Sequence, residues 1–300
     1  MGKAMGFREP GGPEQLRLAE VPEPHAGPGE VRVRVKAAGV QPFDIAVVAG
    51  IIPAPEPGGF TVPGNEFAGV LDEIGEGVEG FAAGDEVLGF GRLGGYQELL
   101  VAGADQIVPK PPEMPWEVAG AFTAAAQTAD IAMERIGVGP GDTVLVHGAA
   151  GSVGAMAVQL ARLRGAKVLG VARPAWHEQV RELGAIPFAY SDDFVERVAP
   201  HGVTAAVDGV GGAALEHTLE LIEDRTRILT LADHDRADEL GIRITLDARS
   251  AARLGRLGGL YAKGELTHRI MAAFPLAEAA EAMRTHQAGN VHGKIVLTMD

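Results

Sequence analysis

Residues 143–173, TVLVHGAAGSVGAMAVQLARLRGAKVLGVAR, constrain the fold more than any other part of the chain. The run Thr143-Val144-Leu145-Val146 is short, apolar and β-branched, as a strand buried on both faces must be. A small-residue turn follows, His147-Gly148-Ala149-Ala150-Gly151-Ser152-Val153-Gly154. An amphipathic helix comes next, with Met156, Leu160 and Leu163 on one side and Arg162 and Arg164 near its end. A second apolar strand over 167–172 completes a β-α-β unit. The turn fits a G-x-G-x-x-G pattern with Ala149 in the first place and Gly151 and Gly154 in the other two. Ala149 allows a tight turn, Gly151 lets the backbone approach a pyrophosphate, and Gly154 lets helix and strand pack closely. The helix start offers unpaired N–H groups and a partial positive charge. A glycine pattern alone is weak, but strand, helix and second strand in register around it predict dinucleotide binding.

The end of the second strand selects the nucleotide. NAD-binding units place Asp or Glu there to hold the ribose 2′-OH. This chain has Arg173, whose guanidinium suits a 2′-phosphate, so the expected cofactor is NADPH.

The totals narrow the class. A length of 300 residues suits two domains, and 46% hydrophobic with 22% charged residues is ordinary for a globular protein. The net charge of −14 disfavours nucleic acid and anionic membrane surfaces as partners. Cysteine is absent, which removes disulfides, thiolate nucleophiles and Cys-ligated zinc. The first residues lack an apolar signal core, and no 18-residue uncharged apolar run follows, so a cytoplasmic location is expected.

Residues 1 to about 120 read as all-β, with short strands between Gly and Pro turns. Residues 30–37 alternate Val31, Val33 and Val35 inward with Arg32, Arg34 and Lys36 outward. Further strands are expected over 67–74, 85–90 and 96–101. The segment 51–64 carries Pro53, Pro55, Pro57 and Pro63 and cannot be regular structure. Residues 115–136 are Ala-rich and read as helix in two segments. Beyond Arg173, helices over 174–183, 192–198 and 213–222 alternate with strands over 186–189, 204–207 and 226–231. A sixth strand is expected over 243–246, and a helix over 251–263. Such alternation specifies a doubly wound parallel sheet, with ligands beyond the carboxyl ends of its strands. Residues 208–212, DGVGG, form a second glycine turn at such an end. A helix over 277–286 and a strand over 294–297 close the chain. The expected class is α/β: a β domain from 1–120 and 265–300, and a Rossmann domain over 121–264.

Short motifs now line up end to end. Gly39-Val40-Gln41-Pro42-Phe43-Asp44, residues 63–69 (PGNEFAG), 84–87 (GDEV) and 95–98 (GYQE) come first. The turn 149–154, Leu183-Gly184-Ala185, Tyr190, the turn 208–212 and 293–297 (GKIVL) follow. In order and spacing the chain resembles the medium-chain dehydrogenase/reductase superfamily, in its zinc-free quinone oxidoreductase branch. The resemblance implies a GroES-like β domain plus a Rossmann domain, commonly in a homodimer. It also implies NADPH-dependent reduction of a small electron-poor acceptor, a quinone or an α,β-unsaturated carbonyl. Rival readings are an enone or enoyl-thioester reductase and a non-catalytic NADPH-binding protein.

Carried across residue by residue, the resemblance puts Gly151, Ser152, Val153 and Gly154 at the pyrophosphate and Arg173 at the 2′-phosphate. His177 stands where many relatives have Lys, and Tyr190 matches a Tyr near the adenosine phosphate. Thr128 matches a Thr near the nicotinamide ribose, while Val210 and Leu231 should line the cofactor site. Gln41 replaces an Asn that faces nicotinamide and substrate in relatives, and Asn65 stands where zinc enzymes of the superfamily carry a ligating His. Gln41 and Asn65 are the candidates for stabilising an oxyanion, and no zinc site is expected. Ala46 stands where many relatives have a Tyr assigned as proton donor, which weakens an enoyl reductase mechanism relying on it. Asp44 and Glu66 read as structural, and Lys294 as an exposed strand lysine.

Overall fold

A computed structural model describes residues 1–55, 58–245 and 248–299. The chain forms two compact units, Met1–Ala124 with Ser250–Asp300, and Ala125–Arg249.

In the second unit, Thr143–His147 lies at the centre of a six-stranded sheet. On one side stand Lys167–Val171 and then Ile186–Phe188; on the other, Ala205–Asp208, Ile228–Thr230 and Arg243–Ile244. Every pairing is parallel, and numbered along the chain the order is 3-2-1-4-5-6, the dinucleotide-binding arrangement. Val144, Leu145 and Val146 have no exposure, because helices cover both faces of such a sheet. Helix Ser152–Leu163 buries Met156 and Leu160 as its periodicity requires. Leu163 departs from the expected stripe: it sits in the last turn, 48% exposed. Leu246, the expected end of the sixth strand, lies outside the described residues, as does Pro57 of the proline-rich segment.

Residues 116–135 form one continuous helix rather than two segments. Gly120 lies inside it and serves packing. A methyl there would meet the Ala37 backbone, so the missing side chain lets helix and strand touch.

In the first unit, strand Glu30–Val40 is the spine. Glu66–Ile74, Leu99–Gly103 and Lys294–Thr298 all pair with it antiparallel, the first along residues 31–37, the second along 30–34 and the third along 37–40. Glu86–Phe90 and Ile107–Pro109 extend the sheet on one side, and Ile270–Pro275 extends it on the other. Val31, Val33 and Val35 are buried, while Arg32 and Arg34 pair with Asp72 at 2.7 and 2.8 Å, the alternation read from the sequence. The strand expected over 96–101 starts at Leu99; Tyr96 bonds elsewhere in the unit, its carbonyl accepting from Met5 N–H. Helix Pro42–Val48, hidden in the sequence by its shortness, starts at Gln41. Helix Ala251–Ala262 belongs to this unit, so the division falls at Ser250 rather than at residue 265. No helix among the described residues is long and apolar enough to cross a membrane.

Candidate active site

The turn between the first strand and helix of the second unit is built from backbone. Gly148 takes φ +74°, the left-handed geometry that a side chain resists, so the sharp bend sits one residue before Ala149. Ala149 can replace the first glycine of the pattern because Gly170, on the adjacent strand, leaves room for its methyl. A Cβ on Gly170 would lie 3.0 Å from it. Gly154 is required by packing: its Cβ would overlap the Gly148 carbonyl oxygen and come within 2.7 Å of the carbonyl carbon. Gly151 is different. Its Cβ would meet only the Gly148 oxygen, at 3.3 Å, so the side toward the helix start is open. Ser152 and Val153 begin the helix, and no carboxylate lies in its first turn to oppose an anion. This open backbone cradle fits a pyrophosphate.

Arg173, Val210 and Leu231, also expected at the cofactor, follow the carboxyl ends of strands. Arg173 follows Lys167–Val171, is exposed, and stacks over Trp176 at 5.4 Å, which orients its guanidinium without consuming its donors. His177 donates from Nε2 to the Ala172 carbonyl at 3.1 Å, which ties its ring to the backbone. Val210 is 51% exposed and lies beside Gly148. Its turn is pinned by Asp208, whose carboxylate accepts from the N–H groups of Val210 and Gly211 and from the Thr230 hydroxyl. Leu231 N–H bonds the Asp208 carbonyl at 2.7 Å, so both loops are held at one end of the sheet. Thr128 is half-buried on helix Trp116–Arg135.

Tyr190 is engaged within the unit. The Thr218 hydroxyl donates to the Ala214 carbonyl, so it accepts from His147 Nε2 at 2.9 Å. That leaves His147 Nδ1 as acceptor for the Tyr190 hydroxyl, 2.6 Å away, with the two rings stacked. Burial pulls His147 down to about 4 and pushes the Tyr190 phenol up. Both groups are therefore neutral at physiological pH.

In the first unit Gln41 and Asn65 meet directly: Gln41 Nε2 donates to Asn65 Oδ1. Lys294 proves to be buried, not an exposed strand lysine, with its side chain only 3% exposed. Ile295 is opposite Val40 in the antiparallel ladder, and that register carries Lys294 up to Gln41. Lys294 Nζ lies 2.7 Å from Glu66 Oε1 and donates to Gln41 Oε1 at 3.0 Å. Glu66 Oε2 accepts from Ala124 N–H at 2.7 Å. Gly39 completes the nest, since a Cβ there would strike Glu66 Oε1 and lie 2.9 Å from Lys294 Cε.

Asp44 is fully buried beside this group. Its Oδ2 accepts from Gln41 N–H at 3.1 Å and from the Tyr96 hydroxyl at 3.0 Å, fixing the start of helix Pro42–Val48. Burial pushes Asp44 up to about 7, although Lys294 and Tyr96 act in the opposite direction.

Comparisons with known proteins agree with this geometry. Residues 27–112 match the family model described as the alcohol dehydrogenase GroES-like domain, and 183–297 the one described as zinc-binding dehydrogenase. The synaptic vesicle membrane protein VAT-1 homolog of Rattus norvegicus is 30% identical over 96% of this chain and 81% of its own length. A solved quinone oxidoreductase from Coxiella burnetii superposes with a TM-score of 0.90 at 27% identity, covering 100% of this chain and 99% of that one. The chain belongs to the medium-chain dehydrogenase/reductase superfamily, in its quinone oxidoreductase branch. Members of that superfamily bind nicotinamide cofactors. The chain is also 32% identical, over 90% of its length, to the polyketide synthase GfsB of Streptomyces halstedii. It spans 5% of that protein and 14% of another polyketide synthase system protein.

The donor set does not fit zinc, despite the name of the second family model. There is no thiolate, Asn65 offers an amide already bonded to Gln41, and the Lys294 ammonium holds the centre of the cluster. Among the described residues no three His, Asp or Glu side chains converge on one point.

Proposed function

We propose that the chain is an NADPH-dependent, zinc-independent reductase that passes hydride to a quinone-type acceptor. The observation that carries this reading is the open backbone cradle at Gly151 and Ser152, with Arg173 at the end of the adjoining strand. The bound nicotinamide would supply the hydride. Gly151 leaves room for the pyrophosphate, and the N–H groups of Ser152 and Val153 bind it. Arg173 pairs with the 2′-phosphate, for which a carboxylate at that place would be repulsive. Val210, Leu231 and Thr128 border the rest of the nucleotide, as do His177 and Tyr190, both tied to protein partners.

Hydride addition to a quinone puts two electrons on the ring and negative charge on oxygen. The amide N–H groups of Gln41 and Asn65 stabilise that oxyanion, and solvent supplies the proton that completes the hydroquinone. Asp44, Glu66 and Lys294 hold those amides and do not touch the acceptor. We take the working form as a cytoplasmic homodimer, which sedimentation of the purified protein would check.

A second reading is reduction of the C=C bond of an enone or enoyl thioester, favoured by the likeness to polyketide synthases. The same hydride then goes to the β-carbon and the α-carbon takes a proton. A panel of quinones, enals, enones and enoyl thioesters, each with NADPH and NADH, separates the two. Turnover of quinones with NADPH supports the first reading. Turnover of unsaturated thioesters or enones alone replaces it with the second, and binding without any turnover makes the chain a nucleotide-binding protein.

A further inference from the structure

The buried ammonium of Lys294 lies just beyond the ladder that sets Ile295 opposite Val40. Its position has a chemical consequence. An ammonium only donates, so the Gln41 side chain must turn Oε1 toward Lys294 and Nε2 away from it. Nε2 then meets Asn65, which must present Oδ1 to receive it and so turns Nδ2 away from Gln41. Two amides that could each face either way are thereby fixed by one cation. Glu66 holds that cation in place, itself anchored by the Ala124 N–H, and Gly39 leaves the space for the pair. The bonds run in one direction, from Lys294 to Gln41 to Asn65, so each polarises the next toward a stronger donor.

We infer that Lys294 is a positioning residue that orients the amides of Gln41 and Asn65 so that both present N–H donors to the acceptor's developing oxyanion. This rests on the reading of the site as one for hydride acceptance. With Lys294 absent, either amide can turn its oxygen forward, and an oxygen repels an oxyanion. Preorganised donors matter most in the transition state, so the effect falls on kcat rather than on nucleotide binding.

The test compares wild type with the double variant Glu66→Gln/Lys294→Met. Removing both charges together avoids stranding a buried carboxylate and protects folding. Heteronuclear NMR of the Gln41 and Asn65 side-chain amides reads orientation directly and requires no turnover. In wild type each should give one slowly exchanging pair of N–H signals; in the double variant both should shift and exchange faster. Among quinones of graded reduction potential, kcat should fall roughly 10–100-fold and depend more steeply on potential, with the NADPH dissociation constant within about twofold of wild type. A merely structural ion pair would leave that dependence unmoved. Unchanged amide signals in the double variant overturn the inference whatever the activity. Changed amide signals in a protein that reduces no acceptor preserve the orienting role and remove the acceptor reading instead.

Discussion

Gly151→Ala separates nucleotide binding from folding at the residue on which the cradle depends. The backbone there has φ −74° and ψ 170°, which alanine adopts without strain. The added methyl meets a single atom, the Gly148 oxygen at 3.3 Å. Losing glycine's freedom in the unfolded chain favours the variant by about 0.4–1 kcal/mol. Replacing glycine by alanine at a helix N-cap costs a similar amount, roughly 0.5–1 kcal/mol. The two nearly cancel, so the unliganded protein should melt within about 3 °C of wild type. The same methyl projects toward the open side of the helix start. If a pyrophosphate rests there, overpacking of about 1–3 kcal/mol weakens NADPH roughly 5–100-fold. Calorimetric titration with NADPH and thermal melting of the unliganded protein measure both quantities. Gly154→Ala is the contrast: its methyl strikes only backbone atoms of Gly148 and Ala149, so it should lower the melting temperature directly. Wild-type affinity in Gly151→Ala would refute the pyrophosphate position, and a collapsed melting temperature would make Gly151 a folding glycine.

Arg173→Ala should weaken NADPH roughly tenfold while leaving NADH nearly unchanged, as exposure limits what one guanidinium contributes; equal losses for both nucleotides in parallel titrations would contradict a 2′-phosphate role. Asp44 binds its proton more tightly folded than unfolded, so its contribution falls as pH rises from about 4 to about 7, by an order of a few kcal/mol. Asp44→Asn removes that loss, and its stability relative to wild type, from denaturant unfolding, should grow across this window. His147 and His268, both lowered to about 4 by burial, act in the opposite sense, losing stability as pH falls below about 6.5, but are common to both proteins. A pH-independent difference between the two would contradict the account of Asp44. Gly39→Ala drives a methyl into the Lys294–Glu66 pair and should cost about 1–3 kcal/mol by the same measurement, whereas Gly139→Ala, with open space around its Cβ, should cost little.

The sequence carried the Rossmann half well, because its signals are local. Strand 143–147, the turn and helix 152–163 lie within a few residues of one another, and their spacing encodes the geometry. Even there the left-handed residue proved to be Gly148, since a motif marks small residues without saying which one bends. The polar cluster of the first unit was poorly legible for the opposite reason. Gln41, Asn65 and Lys294 meet through the pairing of strands 30–40, 66–74 and 294–298. A lysine at the start of a strand reads as solvated unless the register beside it is known. Glycine at 39, in a strand otherwise rich in valine and alanine, was the one local hint that something bulky lay alongside. Leu163 and the expected two-segment helix over 115–136 failed because periodicity cannot report where a helix end leaves the core or where a glycine such as Gly120 serves close packing.

The central claim is that a reduced nicotinamide nucleotide with a 2′-phosphate binds at the glycine turn. Isothermal titration of the purified chain with NADPH, set beside NADH, tests it most directly. Saturable binding at one site per chain is predicted, with NADPH tighter by roughly tenfold or more. Failure to bind either nucleotide would contradict the account.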